Sequence, residues 1–207
     1  MTGPSVPAAS GLVLAGGRSS RFGRNKLAEP LGGRPLLAHA VTAIGLVVRE
    51  VIVLLPPVGD PPALPRTVGD GRIPVRLARD PEPFGGPLVA VLAGLERARE
   101  PFALLAGGDM PGLAGPVLAA LLRALEASED VEAAVLEFRG RRQQLPAAFR
   151  VGAATIAARR LLGEGERSLH AFLRALRTRE LREGEWRALD PAAATLRDID
   201  LPDDLAT

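Results

Sequence analysis

The chain has 207 residues, 47% hydrophobic and 24% charged, with a formal net charge of +2. That profile fits one globular domain over residues 1–207, large enough to bury a core without covalent staples. It contains no cysteine and only 3% aromatic residues. This excludes a disulfide framework, a thiolate nucleophile and a cysteine-based zinc site, and leaves too few rings for a base-stacking nucleic-acid platform.

The isoelectric point is high, but with one lysine and no tyrosine or cysteine little titrates between the carboxylates and the arginines. It is therefore no sign of a nucleic-acid-binding face. The opening MTGPSVPAAS lacks the regions of a signal peptide. No apolar run approaches the roughly 18 residues of a membrane span, so a cytoplasmic protein is expected.

In chain order, GLVLAGG (11–17) predicts a buried strand running into a glycine loop. PLLAHAVTAIGLV (35–47) predicts a helix with Pro35 in its first turn, and EVIVLLP (50–56) a second strand. Residues 57–74 are proline-rich and irregular, with room for a short helix. VRLA (75–78) is a third strand, GPLVAVLAGLERARE (86–100) a helix, FALLAGGD (102–109) a fourth strand ending at an acidic loop, and LAGPVLAALLRALEAS (113–128) a helix. EAAVLEF (132–138) and LPAAFR (145–150) then read as a strand pair around the basic turn RGRRQQ (139–144). Helical patterns over 153–162 and 167–177 and a late strand, TLRDID (195–200), complete the chain.

The alternation predicts an α/β fold: a three-layer α/β/α sandwich with a mostly parallel, Rossmann-like sheet and an additional strand pair. Ligands of such sheets sit outside the carboxyl ends of the strands. The loops after Ala15, Leu54, Ala78 and Ala106 should therefore share one rim.

The first rim loop, LAGGRSSRFGRNK (14–26), offers glycine main chain, several arginines and Lys26, the only lysine in the chain. Exposed N–H groups with basic side chains in reach suit a polyphosphate. The spelling is not a P-loop, because Gly23 is followed by Arg24. Nor is it a dinucleotide fingerprint, because Gly16 and Gly17 are adjacent and no acid follows the second strand. Asp80 and Asp109 each follow an apolar strand. As loop caps they would be unremarkable. Facing a phosphate-binding loop, they suit a Mg²⁺–nucleotide complex.

LVLAGGRSSRFGRNKLAEPLGGRPLLAH resembles the nucleotidyltransferase signature Leu-Ala-Gly-Gly-x-Ser-x-Arg-Met/Phe-Gly, then Lys, then Gly-x-Pro-Leu-Leu. Within that superfamily the chain most resembles the molybdenum cofactor guanylyltransferases, through DPEPFGGPLVAVLAGL, LAGGDMPGL, GERSLHAFLR and LRDIDLPDDLA in family order.

The resemblance implies that Leu14, Ala15, Gly16 and Gly17 hold guanine and phosphates through their main chain. It implies a phosphate-binding role for Lys26, a nucleotide contact for Asp80, and Mg²⁺ and nucleotide binding for Asp109. Arg21 falls on a loop arginine with a phosphate role, and Asp200 is a candidate second Mg²⁺ ligand. On this reading Lys26, Asp109 and Arg21 carry catalysis. The partners are GTP, molybdopterin and cofactor-delivery proteins. The two histidines, His39 and His170, are read as structural.

The chain departs from the family pattern in carrying Leu54 where an Asn is frequent, Asn25 before the lysine, and Asp198 and Asp200 where Asn is usual. The implied activity is Mg²⁺-dependent transfer of GMP from GTP to molybdopterin with release of pyrophosphate. Cytidylyl transfer to molybdopterin, transfer to a sugar phosphate, and a non-catalytic nucleotide-binding protein are the alternatives.

Overall fold

A computed structural model describes residues 6–16, 25–79, 85–201 and 204. Among the described residues ten strands form: β1 (Ala9–Leu14), β2 (Pro30–Leu31), β3 (Arg34–Pro35), β4 (Glu50–Leu55), β5 (Thr67–Val68), β6 (Ile73–Arg79), β7 (Phe102–Gly107), β8 (Ala133–Phe138), β9 (Arg141–Arg150) and β10 (Thr178–Leu181). The helices are α1 (Leu36–Gly45), α2 (Pro87–Leu95), α3 (Gly115–Glu126), α4 (Val151–Gly163), α5 (Leu169–Arg174) and α6 (Glu183–Trp186), with 3-10 turns at Lys26–Ala28 and Ala194–Leu196.

The main sheet runs β10-β8-β9-β7-β1-β4-β6-β5, and β2 with β3 makes a separate small hairpin. β1 lies parallel between β4 and β7, and β6 extends the parallel set beyond β4. β9 runs antiparallel to both β7 and β8. The carboxyl ends of β1, β4, β6 and β7 thus share one edge, as the alternation of elements requires.

The central strands bury both faces, which is why they read as unbroken apolar runs. In β4, Val51, Val53 and Leu55 point into a core with α1, α3 and Trp186. Ile52 and Leu54, one step out of phase, point into a second core with α2, α4 and α5. Successive strand side chains face opposite sides, so one sequence run supplies both cores. Among the described residues no helix is long and apolar enough to cross a membrane.

Three sequence expectations need correction. The basic turn is shorter than 139–144: Arg139 and Gly140 alone reverse the chain, with φ of 51° and 73°, and Phe138 pairs with Arg141. Two consecutive positive φ values define a hairpin turn whose twist matches its strands. The polar residues Arg141–Gln144 are already in β9, with their charge in solvent.

The late strand 195–200 is absent. Its amides are taken up elsewhere: Ala194 and Thr195 N–H by the Asp190 carboxylate, and Ile199 N–H by the Asp109 carbonyl. Residues 57–74 hold the short strand β5 and the start of β6 in place of a helix. β10 was not anticipated, because Thr-Arg-Glu-Leu at a sheet edge carries too little apolar pattern.

Candidate functional site

The site forms where β1 and β7 end side by side. The Gly108 amide donates to the Leu14 carbonyl at 2.8 Å, and the Ala15 amide to the Leu54 carbonyl at 2.9 Å. A Cβ at Gly108 would lie 2.6 Å from Leu37 Cδ1 and 2.9 Å from the Leu14 carbonyl oxygen, so only glycine allows this approach. A Cβ at Gly107 would lie 2.5 Å from Asp109 Oδ1, so this position also leaves space for the carboxylate. Gly16 is exposed, and a Cβ there would meet nothing within 4 Å.

Lys26 begins a 3-10 turn. The Asn25 side chain caps the turn by accepting from the Leu27 amide at 3.2 Å, and buried Leu27 pins it to the core. Asparagine suits that cap because its short side chain reaches the main chain two residues on. The Lys26 ammonium lies 2.8 Å from Asp109 Oδ2 and 3.2 Å from Asp200 Oδ1, and donates to the Ile199 carbonyl at 3.1 Å. Burial alone would lower its pKa. Its bonds and charge pairing with Asp109, then Asp200, outweigh that and raise it, so the ammonium stays charged.

Asp198 is raised from the usual carboxylate range, first by desolvation and then by the neighbouring charges of Asp200 and Asp109. Negative charge is thus concentrated around one cation.

Of the residues expected at the site, Leu14, Ala15, Gly16, Lys26, Asp109 and Asp200 converge on this edge. Gly17, Arg21 and Asp80 lie outside the described residues. Leu54 points away: it is 2% exposed, packed in the α2-side core against Gly94. The Leu54 side chain is turned into that core, while its carbonyl accepts from the Ala15 amide. His39 Nε2 donates to the Leu31 carbonyl at 2.8 Å, and His170 is exposed on α5.

Sequence reasoning did not single out Asp190, Thr195 or Ile199, which bring the last segment to the ammonium. The available signal was an aspartate followed by Pro-Ala-Ala-Ala-Thr, the spelling of a local turn cap.

Residues 11–181 match the model of the MobA-like NTP transferase domain. A probable molybdenum cofactor guanylyltransferase of Chloroflexus aggregans is 34% identical over 199 residues, covering 95% of this chain and 91% of that one. One of Mycobacterium tuberculosis is 35% identical over 178 residues, covering 83% and 82%. The solved structure of molybdopterin-guanine dinucleotide biosynthesis protein A from Archaeoglobus fulgidus superposes with a TM-score of 0.74 at 20% identity, over 95% of each chain. With its glycine turn, lone lysine and facing carboxylate on one strand edge, the chain belongs to the MobA-like nucleotidyltransferases, in the molybdenum cofactor guanylyltransferase family.

Proposed function

We propose that this protein transfers the GMP moiety of GTP to molybdopterin with release of pyrophosphate. The observation that carries the reading is the Lys26–Asp109 pair, 2.8 Å apart where β1 and β7 end side by side. Its support is membership of a family whose curated relatives are named for guanylyl transfer.

An oxygen of the pterin's terminal phosphate forms a bond to the α-phosphorus of GTP. The bond from that phosphorus to the bridging oxygen breaks, and pyrophosphate leaves with the electron pair. A phosphate monoester is already anionic at neutral pH, so the nucleophile needs no strong base. The work left to the protein is positioning and charge neutralisation.

In this reading the main chain of Leu14–Gly17 holds base and phosphates, and Asp80 contacts the nucleotide. Arg21 and Lys26 counter the phosphate charge, and Asp109 lies against the Lys26 ammonium.

The donor chemistry fits Mg²⁺: Asp109 and Asp200, both paired with the Lys26 ammonium, offer hard carboxylate oxygens on the same side of the site. Among the described residues no group of three or more histidine, cysteine or acidic side chains is assembled as a metal cage. That suits an ion completed by phosphate oxygens and water. Asp109 and Asp200 would hold it, and when bound it would neutralise triphosphate charge. The same proposal places the protein in the cytoplasm and has cofactor-delivery proteins receive its product.

Pyrophosphate release, measured with molybdopterin and Mg²⁺ across the four nucleoside triphosphates, tests the reading. Release with GTP in clear preference is expected. Preference for CTP would move the protein to cytidylyl transfer. GTP binding with no release would make it a nucleotide-binding protein without this chemistry.

A further inference from the structure

Residues 190–200 form a strap across the carboxyl edge of the sheet. Asp190 is 7% exposed. Its two oxygens accept from the Ala194 amide at 3.1 Å and the Thr195 amide at 2.7 Å. Desolvation pushes this carboxyl up. The Thr195 amide and hydroxyl and the Ala194 amide outweigh that and keep it ionised.

Thr195 is wholly buried, and its Oγ1 accepts from the Ala114 amide at 3.0 Å. Ala194 presses on the same loop, where a Cβ at Gly112 would come within 2.5 Å of the Ala194 carbonyl oxygen. Ala193, just before, is held in the left-handed region at φ 51°, a conformation that non-glycine residues keep only when their surroundings enforce it.

Further along, the Ile199 amide donates to the Asp109 carbonyl at 3.0 Å, while the Ile199 carbonyl and Asp200 meet the Lys26 ammonium. The strap therefore grips the Asp109 loop upstream and holds Lys26 downstream. The bonds of the Asp190 carboxylate are local, to the strap's own backbone and to the Thr195 hydroxyl. What lies beyond that anchor is the Lys26–Asp109 centre.

We propose that Asp190 and Thr195 are positioning residues for nucleotidyl transfer, locking the strap to the Asp109 loop so that Ile199 and Asp200 hold the Lys26 ammonium in line for phosphate. The proposal rests on the nucleotide-binding reading of Lys26 and Asp109. It concerns residues that touch no reacting atom.

Because Lys26 is the only lysine, lysine-selective ¹³C/¹⁵N labelling of the full chain gives a side-chain NMR signal from this residue alone. Thr195→Val keeps the shape and removes both the Oγ1 acceptor for Ala114 and the hydroxyl bond to Asp190, Thr195→Ser restores both, and Asp190→Asn loses one backbone bond. In Thr195→Val the Lys26 side-chain signal should shift and its ammonium protons should exchange faster with water. The KM for GTP should rise about tenfold, with a smaller change in kcat. Thr195→Ser should return both within about twofold of the parent. Should Thr195→Val not fold, Asp190→Asn is read for the same changes.

A lower melting temperature with the Lys26 signal and the GTP KM unmoved would reduce both residues to structural caps and overturn the proposal. If the parent protein itself released no pyrophosphate, the functional reading would fall. The Lys26 signal, recorded without turnover, would still decide the positioning claim.

Discussion

The amide of Gly108 and the carbonyl of Leu14 are joined at 2.8 Å, which ties the loop after β7 to the loop after β1. The bond requires the two main chains to pass closer than any side chain permits. Gly108→Ala would set a methyl 2.6 Å from Leu37 Cδ1 and 2.9 Å from the Leu14 oxygen. A destabilisation of about 1–3 kcal/mol is expected in chemical denaturation, the usual cost of overpacking. Gly16→Ala meets nothing. Its stability should stay within about 0.5 kcal/mol, while its KM for GTP rises because the methyl occupies the space a ligand needs.

Lys26→Arg tests why one lysine stands in a chain otherwise supplied with arginine. The ammonium places one nitrogen among Asp109, Asp200 and the Ile199 carbonyl, and three rotatable donors on a single atom suit that arrangement. A guanidinium is planar and wider. The variant should fold with an unchanged melting temperature. It should lose roughly 10²–10³ in kcat/KM for pyrophosphate release, the scale of removing a preorganised electrostatic group.

Leu54→Asn restores the residue frequent in the family and should nonetheless gain nothing. Leu54 is in the core with Leu12, Leu88 and Leu95. An amide there has no partner, and burying it should cost about 2–4 kcal/mol. Denaturant melts should show that loss, and GTP titrations should show no tighter binding.

At the opposite end of the strands, Glu50 gives the fold an acid-sensitive anchor. Its carboxylate accepts from Arg76 at 2.7 Å, from Ser10 Oγ at 2.9 Å and from the Arg99 amide at 3.0 Å. Desolvation raises its pKa, but these bonds outweigh that and hold it below the ordinary 4.5. A depressed folded-state pKa contributes stability in full above the unfolded value, lost as pH falls through the folded one. Stability should therefore decline below about pH 4.5. Glu50→Gln should flatten that decline and cost about 2 kcal/mol at pH 7. Denaturation midpoints measured from pH 3 to pH 7 for both proteins check the sign.

The parallel half of the sheet was legible because each buried strand and helix announces itself by an uninterrupted apolar run or a helical stripe. Val51–Leu55 and Val117–Leu125 are examples. Lys26 and Asp109 were legible because a glycine turn and a strand-end acid are local spellings. The strap was not. Its geometry depends on Asp190, Gly112 and Asp109, residues far apart in sequence, and TLRDID reads as an ordinary strand. The fate of Leu54 was hidden for a related reason. Position in a motif gives no phase, and only the strand's alternation decides which face a side chain takes.

β10, the last strand among the described residues, ends at Leu181, before the strap begins. A ribosome therefore emits the whole sheet before the segment that brings Ile199 and Asp200 to the ammonium, and domains fold progressively from the amino end. Completion of the Lys26–Asp109 centre therefore falls to a segment made after every strand of the sheet among the described residues.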